Sequence, residues 1–156
     1  MTSAPIPRLL AEWRAAERRW ERAGSPSERQ QAALDVVAAF AAYQTAALPR
    51  ETSEFILIAD DTQTYVAATP GITGVLGYEP DELVGRTLGD IAAPDQLEPA
   101  HELWTAFIVE GRQDGRFRLL AKDGRPVDLS YQARAHHPVA GFHASRLWPD
   151  AVADAS

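Results

Sequence analysis

The chain has 156 residues, 46% of them hydrophobic, and carries a net charge of −7, which suits one packed domain with an appendage. The charge is unevenly shared: residues 1–50 hold seven Arg against five Asp or Glu, and the rest hold eight Lys or Arg against seventeen acids. An acidic main domain argues against nucleic acid as a direct partner, and the absence of cysteine excludes disulfides and thiolate metal sites.

No apolar run reaches the roughly 20 residues that a membrane-spanning helix needs. Met1 to Pro7 lacks the basic start and apolar stretch of a secretory signal, so the expected location is the cytoplasm, without membrane attachment.

In residues 6–23, Ile6, Leu9, Leu10, Trp13, Ala16 and Trp20 recur with helical periodicity, which predicts an amphipathic helix ended by Gly24. Ser25, Pro26 and Glu28 then form a capping-box pattern that opens a second helix, with Leu34, Val37, Phe40, Ala41 and Leu48 along one side. Joined by a tight turn, the two make an antiparallel hairpin over residues 1–48. Such a hairpin cannot bury both apolar faces on itself. Its partner is either the sheet of the same chain or the same hairpin of a second chain.

Residues 48–52 read as a linker. Residues 55–59, Phe-Ile-Leu-Ile-Ala, form a continuous apolar run that predicts a buried strand, and Asp60, Asp61 and Thr62 its turn. Tyr65 to Ala67 give a second strand, and Thr69-Pro70 opens a short helix containing Ile72, Val75 and Leu76. Pro80 then pre-sets a helical φ, Asp81 and Glu82 occupy a first turn, and Gly85 stops it; Leu88 to Ile91 begin another brief turn. A longer helix runs to about Glu110 and is stopped by Gly111, with Pro99 placing its regular part late. Strands over residues 115–121, 127–136 and 141–148 follow, the first two joined by Lys122-Asp123-Gly124-Arg125. The expected class is α+β: a five-stranded antiparallel sheet, short helices and one longer helix across it, preceded by the hairpin.

Gly77, Tyr78, Glu82, Leu83, Gly85, Arg86 and Leu88 match in register a pattern of Gly, Tyr or Phe, three residues, Glu-Leu, one residue, Gly, Arg or Lys, one residue, Leu; Lys122-Asp123-Gly124 matches a hairpin of the same family. On these residues the stretch from about 52 to 148 resembles PAS domains. The resemblance implies a PAS domain over residues 52–150, a sensing and dimerisation module that takes a small apolar ligand between its long helix and its sheet. It also implies a homodimer formed through the N-terminal helices and a signalling protein as partner. Without cysteine, the covalent chromophore chemistry of flavin-binding and coumarate-binding relatives is excluded, while non-covalent flavin binding is not. Two departures stand out. Ala68-Thr69 occupies a place where the family often has Asn, and Trp148-Pro149-Asp150 replaces the exit that leads to a downstream effector, so no effector unit is expected after it.

Leu97, His101, Trp104 and Ile108 are spaced four, three and four, which places an imidazole in an apolar stripe of the long helix. Here the chain is similar to bacterial haem-binding PAS oxygen sensors, whose proximal His follows a proline by seven residues, as His101 follows Pro94. The resemblance implies haem as a candidate cofactor with His101 as axial iron ligand and Leu97, Trp104, Ile108 and Leu119 around the porphyrin. Those sensors also use a strand arginine, whose position here is Gly115, so Arg116 serves only with a shifted register. The alternative is a ligand-free interaction module whose cavity is closed by Trp104, Phe107, Phe117 and Leu119. His136, His137 and His143 read as surface or hairpin residues. Asp60-Asp61 and Asp81-Glu82 read as turn and capping groups, and no nucleophile elbow, phosphate loop or metalloprotease motif is present, so no catalysis is expected.

Overall fold

Two helices, α1 (Ile6–Arg22) and α2 (Pro26–Ala47), pack as the expected antiparallel hairpin in the computed structural model, which describes residues 6–150. Ser25 caps α2 by accepting a hydrogen bond from the Glu28 N–H at 3.2 Å, but the return bond from the Glu28 side chain is not formed, so half of the expected capping box exists. The buried face of α2 is Ala32, Ala33, Val36, Val37 and Phe40, whereas Leu34, expected inside, is 41% exposed. Because the middle of α2, residues 32–43, is apolar nearly all round, its periodicity does not select a face; packing selects the side where alanines allow close approach.

The sheet has the order β2-β1-β5-β4-β3 and is antiparallel throughout, from β1 (Phe55–Asp60), β2 (Tyr65–Ala68), β3 (Arg112–Leu120), β4 (Pro126–Arg134) and β5 (Phe142–Pro149). Interior strand β1 is covered on both faces, which explains its uninterrupted apolar run. Ile56 and Ile58 point outward with Ala144 of β5 and meet Val36, Val37 and Phe40 of the hairpin. Phe55, Leu57 and Ala59 point inward with Leu119, Leu129 and Leu147. Of the two partners open to the hairpin, the structure shows the sheet of the same chain.

The β1–β2 pairing shifts register between Ile58 and Ala59. Through this bulge Val66 and Ala67 both pack toward the hairpin, while Tyr65 and Ala68 belong to the inner core. Where β2 ends, buried Thr69 accepts the Ile56 N–H on its Oγ1 at 2.9 Å and donates its own N–H to the Ile56 carbonyl, so this side chain serves the turn at the site of the missing Asn. Gly71 follows because any Cβ there would lie 2.2 Å from the Glu54 carbonyl oxygen.

Short helices α3 (Ile72–Leu76), α4 (Pro80–Leu83) and α5 (Leu88–Ile91) cover the inner face with Ile72, Leu76, Leu83 and Ile91. Each of the last two is opened by a reciprocal capping box, Glu79 with Glu82 and Thr87 with Asp90. Gly85, at φ +92, turns the chain between them. A 3-10 turn over Pro94–Gln96 leads into α6 (Leu97–Glu110), whose Pro99 sits in the first turn, where its missing N–H costs nothing. Helix α6 passes directly through Gly111 into β3, which begins three residues earlier than the sequence suggests. No described helix is long and apolar enough to cross a membrane.

Candidate functional site

Between α6 and the inner face of the sheet lies a cavity of about 100 Å³. It exists because small side chains meet there: Ala100 on the helix, and Ala59, Ala133 and Ser145 on three adjacent strands. Leu57, Leu119 and Leu147 line it, with the aromatic side chains of Trp104, Phe107, Phe117 and Tyr131.

One corner is polar. His143, only 3% exposed, is bonded at both ring nitrogens: Nδ1 accepts the His136 N–H at 3.0 Å, and Nε2 meets Asp61 Oδ1 at 2.8 Å. Since Nδ1 accepts, the neutral ring carries its proton on Nε2 and donates it to the carboxylate. Trp104 and Phe107 approach the imidazole edge-on at 5.3 and 6.0 Å. Burial lowers the His143 pKa, and the bond to Asp61 works against that lowering.

Asp61, His136 and His143 bring three donor atoms within 4.8 Å of one another. Their chemistry does not suit an ion. His136 Nδ1 accepts the Gly141 N–H at 3.0 Å just as His143 Nδ1 accepts from His136, so in each neutral ring the proton occupies Nε2, the atom that would have to bind metal.

The β4–β5 turn connects this corner to the opposite face of the sheet. His136 meets His143 edge-on at 4.8 Å, and the next residue, His137, lies against Phe40 at 5.3 Å and Trp13 at 6.4 Å in the hairpin. On the other side of the cavity, Gln113 donates from Nε2 to the Leu103 carbonyl at 3.0 Å and accepts the Tyr131 hydroxyl at 2.7 Å, tying α6 to β3 and β4. Gly115 lies beneath the Tyr131 ring, where a Cβ would come within 3.3 Å of it.

A family model described as the PAS fold matches residues 65–142, half of the chain. The chain belongs to the PAS fold family. No curated protein sequence matches it. Among solved structures, the crystal structure of a PAS domain from Colwellia psychrerythraea superposes with a TM-score of 0.56 at 19% identity, covering 69% of this chain and 93% of that one. A variant PAS-B domain of Drosophila melanogaster Cycle with bound glycerol gives 0.55 at 16% identity, covering 62% and 99%. At such identities the likeness concerns the fold.

Within this PAS fold the residues expected at the site divide. Trp104 and Leu119 line the cavity, as do Phe107 and Phe117. His101 does not: it is exposed, on the solvent side of α6 with Glu102, Thr105 and Val109. Leu97 is 48% exposed, Ile108 is half-buried outside the lining, and exposed Arg116 pairs with Asp150 at 3.3 Å. The reason is rotational. The stripe through 97, 101, 104 and 108 and the stripe through 100, 103, 104 and 107 share Trp104, and successive residues on a helix differ by about 100°.

Haem does not fit these residues. His143 is the imidazole in the wall among the described residues, both of its nitrogens are engaged, and about 100 Å³ is well below the roughly 300–1,000 Å³ of ordinary ligand pockets. Sequence reasoning read His143 as a surface or hairpin residue and passed over Tyr65, Leu103, Gln113 and Tyr131 as cavity residues. A signal for His143 was available: His143, Ser145 and Leu147 alternate along β5, which puts them on one face.

Proposed function

We propose that this PAS domain is a sensor module in which a small, largely apolar molecule fills the cavity and the helical hairpin reads out its presence. One observation carries the reading. His143 stands in the cavity wall, bonds the backbone of the β4–β5 turn, and that turn places His137 on the aromatic side chains of the hairpin. A ligand that presses on Trp104 or His143 therefore has a short mechanical route to Phe40 and Trp13, provided that it binds two packings of the turn unequally. Asp61, the acid at this corner, is engaged with His143, and turnover forms no part of the reading. Exposed Ile6 and Leu34 on the hairpin support its use as a contact surface for a second copy of the chain; light scattering of the full chain reads this, and a monomer removes that part.

A second reading is favoured by the modest volume and the aromatic walls: an interaction module with its interior closed. Native mass spectrometry of the purified chain, beside hydrogen exchange of residues 26–47, separates the two. The sensor reading expects a small bound mass that disappears in Ala133→Phe, with α2 exchanging faster or slower when that mass is present. No bound mass, and no response of α2 to any small apolar compound, leaves the interaction module.

A further inference from the structure

We infer that the ligand is an uncharged molecule about the size of one ring that carries a hydrogen-bond acceptor, a cyclic ketone being the simplest case, and that Tyr65 donates to it. The inference rests on the sensor reading and specifies the chemistry of the same cavity.

No Asp, Glu, Lys or Arg is part of the lining, and its imidazole, His143, is already bonded to Asp61, so the lining favours an uncharged ligand. The polar groups around the cavity are mostly committed: both nitrogens of His143, the Tyr131 hydroxyl, and the oxygen of Gln113. Tyr65 differs. It is 6% exposed and lines the cavity, yet its hydroxyl has no hydrogen-bond partner among the described residues. Burial pushes the phenol well above its usual pKa, so it remains a donor at every physiological pH.

The fold turns this side chain toward the inner face. Tyr65 faces inward because of the β1–β2 bulge, which places the intervening Val66 on the hairpin side. Ala59 pairs with both Tyr65 and His143, so the two polar residues flank a methyl group and leave space above it. For scale, an apolar cavity of about 150 Å³ takes up benzene; the volume here suits a slightly smaller ring. Gln63 and Ser145, half-buried in the same lining, can add a second weaker contact.

The test is an NMR titration of the full chain, following the Trp104 indole, with cyclopentanone and with methylenecyclopentane, which has the same number of heavy atoms but no acceptor. Tyr65→Phe removes one hydroxyl and no packing, and its near-ultraviolet circular dichroism is compared with that of the unaltered chain. Both compounds are expected to give saturable shifts. The variant should weaken the ketone roughly fivefold, the effect of one neutral hydrogen bond, and leave the hydrocarbon unchanged. If ketone affinity is unaltered in Tyr65→Phe, or both compounds weaken together, the inference is overturned while the sensor reading stands. If neither compound binds, the inference is overturned, and the native mass spectrum decides the sensor reading separately.

Discussion

The His136 backbone N–H donates to the Nδ1 of His143 across 3.0 Å, and that single bond ties the cavity wall to the turn that grips the N-terminal hairpin. It requires His143 to be neutral, since a protonated imidazole has no lone pair on Nδ1 to accept with.

Acid should therefore destabilise the protein near neutral pH. Burial holds the His143 pKa below its ordinary value against the opposing bond to Asp61, and the charges facing it are those of Asp61, Asp60 and His136. Burial, reinforced by Arg134, also lowers that of His137. The unfolded chain then binds protons at a higher pH than the native one, so this stability is whole above about pH 6.5 and declines as the pH falls, until the native rings are protonated as well. Asp60, whose pKa is lowered by its bonds to Thr62 and Thr64 in excess of the raising effect of burial, affects only more acidic conditions. Thermal unfolding between about pH 7.5 and about pH 5.5 should show a falling midpoint, with a shallower fall in His143→Gln. A flat profile in the unaltered chain would contradict the neutral assignment.

Phe40 is 3% exposed and meets Trp13 at 4.9 Å as well as His137. Phe40→Ala should cost about 3–5 kcal/mol in urea unfolding. It should also uncouple the hairpin, so that exchange of α2 amides no longer responds to a ligand in the cavity.

Thr69→Ala should cost about 1–3 kcal/mol, because the buried Ile56 N–H loses the Oγ1 that accepts it. Thr69→Ser keeps the oxygen and should recover most of the loss. Equal losses in both variants would show that the methyl group, and not the hydroxyl, is what the turn requires.

His101→Ala should change stability by no more than about 0.5 kcal/mol, as expected for an exposed helical side chain. It should leave binding of cyclopentanone unchanged. A loss of binding would mean that α6 turns its other face to the sheet.

Residues near one another in the chain settled much of this protein. The uninterrupted apolar run of β1, the acidic and prolyl starts of the short helices, and the glycines at 85 and 111 each impose a local conformation, and they sufficed for the element order and the PAS resemblance. Trp104, Phe107, Phe117 and Leu119 were also legible as cavity residues, being bulky and apolar on elements that had to face each other. What needed the tertiary structure was rotation and register. Helix α6 carries two apolar stripes that share Trp104, and only the small alanines of the opposing sheet decide that Ala100 and Phe107 turn inward and His101 turns out. The bulge that aims Tyr65 arises from pairing β1 with β2, and the two bonds of His143 join positions 61, 136 and 143, which meet only once the strands are side by side. Helical and strand periodicity constrain neighbours a few residues apart; which face is buried depends on the volume of side chains arriving from elsewhere in the chain.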